Sequence, residues 1–253
     1  MLTDPWFYLV SLPAVLLYGI AKGGFAGPVA ILAVPLMALA MSPTQAAAIL
    51  LPILVVMDAL VVKTYWGTYD GRALRLMLPG ALAGIGLGYL AAEAMNDHLM
   101  RILIGVVSLL FGLQNLFALR IQSREHNPVT AGLFGTLAGF TSFSIHAGGP
   151  PFTMYLLPKG LSPLLFAGTA GIFFAVVNAL KLVPYAMLGQ FDRDNLLASL
   201  VLVPLAPLGV RLGHYLVRRS SPGFYYRVIS FFLAVLGIYL IYRGCIALLA
   251  APS

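Results

Sequence analysis

Residues 19–28 read GIAKGGFAGP, a glycine-rich stretch that holds one lysine inside an otherwise apolar segment. A second stretch, HAGGPP at residues 146–151, repeats the pattern of glycines followed by proline. Glycine and proline both interrupt helices in chain interiors. Each stretch therefore predicts a break in a helical segment, and we call them the first break (residues 22–28) and the second break (residues 146–151).

The composition surrounding these breaks is that of a membrane protein. Of the 253 residues, 60% are hydrophobic and only 9% are charged, whereas soluble domains carry about 25% charged residues. Apolar runs of the roughly 17–25 residues that cross a bilayer recur along the chain. The sequence predicts an all-α, polytopic membrane protein with one integral-membrane domain over residues 1–253. Its start, MLTDPWFYLV, has no basic region and predicts a first span rather than a signal peptide.

Two hydrophobic segments, residues 28–41 and 150–158, are too short to span the membrane. Each follows the glycines of a break. The remaining apolar segments are 5–22, 43–66, 72–93, 97–119, 128–146, 162–188, 195–217 and 224–250. Each half of the chain therefore predicts a broken or re-entrant helix pair followed by three transmembrane helices.

The two halves match each other at an offset of about 120–126 residues, which predicts an internal duplication. Repeat 1 covers about 5–120 and repeat 2 about 127–250. The collinear matches are Gly19 with Gly139, Gly27-Pro28 with Gly149-Pro150, Ser42-Pro43 with Ser162-Pro163, Asp58 with Asn178, Asp70 with Asp192, Pro79 with Pro204, Gly84 and Gly88 with Gly209 and Gly213, and Arg101 with Arg227. Ser-Pro suits a helix start. The paired glycines suit close helix packing in lipid.

The distribution of basic residues predicts that the repeats are inverted. With an odd net number of crossings per half, one membrane face carries Lys63, Arg72, Arg75, Arg120, Arg124, Lys159, Arg218, Arg219 and Arg227, and the other only Arg101, Arg193 and Arg243. This asymmetry is what the positive-inside rule requires. The net charge of +7 is then explained by cationic loops, with no nucleic-acid partner. The apolar surface of the protein is expected to contact the lipid bilayer, and the sequence is also compatible with a homo-oligomer.

Inverted repeats with a broken helix pair in each half are typical of secondary transporters, which bind substrate near the membrane midplane. Irregular backbone at that depth is tolerated only where protein buries it or a cavity adjoins it. Helices that begin after the breaks would point their positive N-terminal ends inward and attract an anion. The alternative is that the glycines only allow helices to cross closely.

The candidate substrate-binding residues are ionisable or polar groups inside the spans, together with the break glycines. They are Lys22, Gly23, Gly24, Ser142, His146, Gly148, Gly149, Asn178 and Lys181. Buried ionisable residues in a membrane are costly and usually functional. Asp58 is the carboxylate deepest in a span, and it is either the structural counter-charge of a lysine or a proton carrier. Two lysines and a histidine against one aspartate favour a small, oxygen-rich anion over a cation.

Several structural alternatives remain for these residues. Lys22 and Lys181 could snorkel to an interface, and Lys181 could instead pair with Asp58. His146 could be a neutral core histidine, while Arg211 and His214 could serve in packing near a helix end. The sequence has no Walker A motif, no pair of hydrolase carboxylates and no Cys/His metal cluster, so we expect no cofactor and no metal.

Four segments resemble the TauE/SafE-type sulfite exporters, also called the toluenesulfonate uptake permease family. They are KGGFAGPVAILAVPLMAL and AAAILLPILVVMDAL in the first half, and GFTSFSIHAGGPPFTMYLLP and GTAGIFFAVVNALKLVPYAMLGQF in the second. The first break, with Lys22 and Phe25, departs from the family's glycine-richer pattern. The resemblance implies a multi-pass carrier of the bacterial inner membrane. It also implies sulfite, thiosulfate or organosulfonates such as sulfoacetate as substrates, and coupling to a proton gradient or the membrane potential.

The sequence thus predicts a secondary active transporter of a small sulfur-containing anion that works by alternating access. A passive anion channel would suit the same positive site. An intramembrane enzyme using His146 and a nearby serine would need an oriented acidic partner, and none is at hand in the sequence. A membrane scaffold would leave the two matched breaks unexplained.

Overall fold

The computed structural model describes residues 3–24, 30–31, 33–37, 39–92, 126–219 and 221–250, together with the single positions 102, 105, 106, 109 and 113. The described helices are α1 (Pro5–Lys22), α2 (Ala33–Met37), α3 (Pro43–Tyr65), α4 (Gly71–Leu90), α5 (Pro128–Ile145), α6 (Gly149–Leu156), α7 (Pro163–Met187), α8 (Arg193–Leu202), α9 (Leu205–Arg219) and α10 (Pro222–Ala250). A short 3₁₀ turn, Leu157–Lys159, follows α6. No strand occurs within these ranges, which agrees with the all-α prediction.

Within the described residues, five helices are long and apolar enough to cross a membrane, namely α1, α3, α4, α5 and α7, and the bent pair α8 and α9 would make a sixth span. Of these, α3 has the largest share of its apolar window buried inside the protein, and it packs against α7, α8 and α9. The core therefore forms around α3 and α7, which carry Asp58 and Lys181. The predicted span 97–119 falls almost wholly outside the described residues, as do Gly27, Pro28, Arg101, Arg120 and Arg124.

Helix starts at matching places in the two halves are capped in the same way. The Ser42 and Ser162 hydroxyls accept a hydrogen bond from the N–H three residues on, at 3.1 and 3.3 Å. Asp70 and Asp192 cap α4 and α8 through their carboxylates. A cap of this kind stabilises a helix by roughly 1 kcal/mol. The predicted Ser-Pro helix starts are confirmed.

The glycines of α4 let α5 approach it closely. A Cβ added at Gly84 would lie 2.0 Å from the carbonyl oxygen of Thr136, and one at Gly88 would lie 2.7 Å from the Phe143 ring. Both distances are shorter than any real Cβ contact. The prediction that these glycines pack helices together is confirmed for this pair.

The matching glycines of α9 do the same for α1. A Cβ at Gly209 would lie 2.7 Å from the Gly19 Cα, and one at Gly213 would lie 2.1 Å from the Ile20 carbonyl oxygen. The first helix of each half therefore packs on a helix of the other half, α1 on α9 and α5 on α4. This exchange fits a duplicated chain, while the inversion of the repeats stays a prediction.

One predicted straight span is broken in the structure. Segment 195–217 divides into α8 and α9, which meet at Val203 and Pro204 with a bend of 48°. Proline removes a helical hydrogen bond and clashes with the preceding turn. Its repeat mate Pro79 nevertheless lies within the unbroken α4. The two halves thus differ here, and the difference was invisible in the matched proline positions.

Both breaks end a helix, as predicted. α1 stops at Lys22, and Gly24 follows with φ +111°. α5 stops before His146, which adopts a left-handed φ of 55°. Among non-glycine residues this conformation is uncommon, and it concentrates at functional sites. After the breaks, α6 has only eight residues and α2 only five, which agrees with two segments too short to span.

Candidate functional site

A small cavity lies where the two breaks approach each other. Its wall includes Lys22 and Gly24 from the first break, and His146 and Gly149 from the second. Aromatic side chains such as Phe174 of α7 also line it. The cavity measures about 60 Å³, whereas one water needs roughly 10–15 Å³ on the same scale. It has room for a few water-sized groups, which is the size class of a small oxyanion.

Lys22 forms a buried ion pair with Asp58 at the edge of this cavity. The Lys22 ammonium contacts one carboxylate oxygen of Asp58, and the Asn178 amide donates to the other at 2.7 Å. Lys22 and Asp58 are only 8% and 4% exposed. The alternative in which Lys22 snorkels to an interface is therefore wrong. Asp58 and Asn178, which are repeat mates, meet directly and link α3 to α7.

Lys181 belongs to a second cluster, which it forms with Ser142 and His146. Its ammonium donates to the carbonyl oxygen of Ser142 at 2.9 Å and to the hydroxyl of Ser142 at 3.1 Å, and it lies 2.7 Å from Nδ1 of His146. Lys181 is completely buried. It neither snorkels nor pairs with Asp58, so both of those alternatives are wrong. Its three acceptors match the three protons of an ammonium group.

This network assigns the tautomer of His146. Because a charged Lys181 ammonium can only donate, Nδ1 of His146 must accept the hydrogen bond from it. Nε2 then carries the hydrogen and donates to the carbonyl oxygen of Ala47 at 2.9 Å. His146 is thus a neutral, fully bonded ring in this arrangement. It still lines the cavity, so the core-histidine alternative describes its bonding but not its position.

Two tyrosines hold His146 in place, and neither was singled out from the sequence. The Tyr18 hydroxyl donates to the His146 carbonyl oxygen at 3.2 Å. Tyr185 stacks on the imidazole at 6.0 Å between centroids and donates to the Phe143 carbonyl oxygen at 2.7 Å. Tyr18 lies four residues before Lys22, and Tyr185 lies four residues after Lys181. Helical spacing of four places side chains on one face, which is the signal that could have found them.

The predicted site residues therefore fall into two layers around the cavity. Lys22, Gly24, His146 and Gly149 line it directly. The remaining predicted residues are not in the cavity wall, namely Gly23, Asp58, Ser142, Gly148, Asn178 and Lys181. Among these, the Gly23 carbonyl oxygen accepts a 2.5 Å hydrogen bond from Tyr65, while Gly148 packs tightly against Ala138 and Ser142.

The second break offers fewer backbone donors than the glycines suggested. α6 begins at Gly149 and continues with Pro150 and Pro151, which have no N–H group. The Phe152 N–H is already bonded to the Gly148 carbonyl oxygen at 3.2 Å. The start of α6 can therefore present chiefly the Gly149 N–H to a ligand. Helix dipoles add to the field, but the lysines supply most of the positive charge.

The buried ionisable groups of this region include more basic than acidic side chains. Across the described ranges, the buried Asp, Glu, Lys, Arg and His side chains are Lys22, Asp58, His146 and Lys181. With both lysines and Asp58 ionised and His146 neutral, one positive charge is left without a counter-ion. An unpaired charge in a membrane interior is costly. A bound anion would remove that cost, whereas a cation would increase it.

Comparison with known proteins places the chain in a family. The family model described as "Sulfite exporter TauE/SafE" matches residues 11–240. A protein of Cupriavidus necator described as "Probable sulfite/organosulfonate exporter TauE" is 23% identical over 158 residues, which cover 61% of this chain and 60% of that relative. The aligned part thus spans less than two thirds of the relative's length. No solved structure matches. Because the family model covers most of the sequence, the chain belongs to the TauE/SafE sulfite exporter family of multi-pass membrane transporters.

Proposed function

We propose that this chain is a secondary active transporter of a small sulfur-containing anion in the bacterial inner membrane. Sulfite, thiosulfate and an organosulfonate such as sulfoacetate are the candidate substrates. Family membership and the name of the Cupriavidus relative support a sulfur oxyanion as cargo. The observation that carries the proposal is the small cavity between the two breaks, with two buried lysines and one buried carboxylate beside it.

In the proposed site, the anion lies against Lys22, His146 and the Gly149 N–H. Lys181, Ser142 and Asn178 act indirectly. They hold His146 and Asp58 in place, and Lys181 contributes to the electrostatic field in the cavity. A volume of about 60 Å³ favours a compact group such as sulfite, or the sulfonate end of a slightly longer molecule. Gly23, Gly24 and Gly148 let the backbone approach this site.

Asp58 is the proposed proton-coupling residue, because it competes with the substrate for Lys22. The ammonium of Lys22 already contacts the Asp58 carboxylate. When Asp58 takes up a proton, that attraction falls and Lys22 becomes available to the anion. One proton and one anion would then occupy the site together. The membrane potential can add to this coupling, since the lysines carry fixed positive charge.

Movement of the two repeats against each other would expose the site alternately to each side. The crossed packing of α1 on α9 and α5 on α4 supports a molecule built from two interlocked repeats, about 5–120 and 127–250. We propose that the repeats are inverted and form one domain.

The test is transport by purified protein in liposomes, with radiolabelled sulfite as the probe. Lys181→Met should abolish saturable uptake, because His146 and Ser142 lose their shared cation. Lys159→Met is the matched control, since Lys159 lies away from the cavity over the Tyr155 ring. Both variants must elute from a size-exclusion column like the wild type and show a cooperative thermal unfolding transition, so that loss of uptake is not loss of folding. Wild-type uptake by Lys181→Met would contradict the proposed site.

Counterflow separates a carrier from a passive anion channel, which the same positive cavity would also suit. Liposomes preloaded with unlabelled sulfite should take up labelled sulfite faster than empty ones. Trans-acceleration of this kind requires a site that faces one side at a time. Uptake that is indifferent to internal sulfite would favour the channel.

A further inference from the structure

A second, larger cleft lies between the C-terminal end of α3 and α9. Five of its lining residues are basic, namely Lys63, Arg211, His214, Arg218 and Arg219, and we call it the basic cleft. None of the described residues lining it is acidic. It shares no lining residue with the cavity between the breaks and, at about 750 Å³, is much larger. Its charge and size call for a ligand other than the one proposed for the cavity.

The basic cleft lies near aromatic residues of the kind that mark a membrane interface. Lys63 is two residues from the end of α3 at Tyr65, and Trp66 follows with 73% of its surface exposed. The Trp66 ring meets that of Tyr69 edge to face. Exposed aromatic residues at a span end mark the membrane interface. Arg218 and Arg219 lie in the last turn of α9, beside this belt.

The cleft is also amphipathic. Leu60, Pro207 and Val210 give the cleft an apolar wall, and the five basic side chains line the same cleft. The Arg219 guanidinium stacks over the Tyr215 ring at 4.2 Å. The two ion pairs found within the described ranges lie elsewhere, at Lys22 and His126, so the positive charge of the cleft is not neutralised by carboxylates of the described chain. An inorganic anion gains no binding energy from an apolar wall, whereas the acyl chains of a lipid pack favourably against one.

We propose that the basic cleft binds an anionic phospholipid. Its phosphate group would lie among Lys63, Arg211 and Arg218, and its acyl chains would run along the wall formed by Leu60, Pro207 and Val210. Basic pockets between transmembrane helices are suited to anionic headgroups. This assignment does not depend on the identity of the transported anion.

The cleft has a physical connection to the first break. Nδ1 of His214 lies 3.0 Å from the Tyr65 hydroxyl, and that hydroxyl donates to the Gly23 carbonyl oxygen at 2.5 Å. Because the hydroxyl proton goes to Gly23, the His214 ring donates to Tyr65. A lipid that holds α9 against α3 therefore stabilises the hydrogen bonds beside Gly23. Lipid composition would thereby affect the stability of the folded protein.

The experiment measures phosphatidylglycerol binding to the detergent-purified protein by native mass spectrometry, with phosphatidylcholine as the neutral reference lipid. The test variant is Arg211→Gln/Arg218→Gln. Each basic residue near an anionic headgroup strengthens binding roughly fivefold, so the pair should weaken it about 25-fold. The control is Arg72→Gln/Arg75→Gln, two exposed residues of α4 that remove the same charge elsewhere. A second variant, Arg211→Lys/Arg218→Lys, keeps the charge and guards against misfolding.

The proposal holds if the wild type, the α4 control and the lysine variant all prefer phosphatidylglycerol and the glutamine variant loses that preference. The melting temperature should follow the same order when phosphatidylglycerol is added. Equal loss in the α4 control would overturn the proposal, because the effect would then come from overall charge. Displacement of the lipid by inorganic phosphate at equal concentration would also overturn it, since the apolar wall would contribute nothing.

Discussion

Removal of Lys22 should destabilise the protein mainly by leaving Asp58 without its cation. Lys22 and Asp58 are both buried and in direct contact. Breaking a buried ion pair from one side costs about 3–5 kcal/mol. After Lys22→Met, the Asp58 carboxylate still accepts the 2.7 Å hydrogen bond from Asn178. We therefore expect the lower end of this range, about 3 kcal/mol.

The partner change, Asp58→Asn, should cost about the same, because the Lys22 ammonium would lose its counter-charge and keep only a neutral amide oxygen and the Phe174 ring at 5.6 Å. The double variant Lys22→Met/Asp58→Asn removes both charges together, and Asn at this position can still bond Asn178. Replacing both members of a buried pair is often nearly neutral. We expect the double variant to fall within about 1 kcal/mol of the wild type.

The assay is thermal unfolding of the four proteins in one detergent. For a chain of this length, about 1 kcal/mol corresponds to a 2–4 °C change in the melting temperature. Each single variant should therefore melt about 6–12 °C lower, and the double variant within about 4 °C of the wild type. Arg72→Met is the control, because Arg72 is exposed on α4 and lies outside both the ion pair and the basic cleft. If the double variant lost the sum of the two single effects, Lys22 and Asp58 would not be energetically coupled, and the reasoning would fail.

Three other outcomes are expected. Sulfite uptake by Asp58→Asn should no longer respond to a pH gradient across the liposome membrane, and an unchanged response would return Asp58 to a structural role. The double variant of the cycle should fold but fail to transport, since it lacks the Lys22 charge, and normal uptake would remove Lys22 from the site. Gly84→Ala should destabilise the protein by about 1–3 kcal/mol through overpacking against Thr136. Its control Gly86→Ala, where an added Cβ meets nothing within 4 Å, should be neutral or slightly stabilising in thermal unfolding.

Much of the architecture was accessible from the sequence because it depends on local chemistry. Long apolar runs, Ser-Pro helix starts and paired small residues each act within one helix or one turn. That is why the caps at Ser42 and Ser162 and the close approach at Gly84 and Gly209 follow the prediction. The bend at Pro204 did not follow, since a proline can be accommodated in a helix, as Pro79 is in α4. Whether it breaks the helix depends on what packs around it.

The sequence by itself determined which residues are unusual: two glycine breaks, and the few ionisable side chains inside apolar segments. Only the tertiary structure decided how they are paired. Asp58 lies against Lys22 and not Lys181, and Lys181 uses its protons on Ser142 and His146. These partners are 35–39 residues apart along the chain. A hydrogen bond depends on distances of about 3 Å, and such distances are set by how helices pack. The excess of buried basic over acidic side chains beside the cavity is therefore a property of the folded chain.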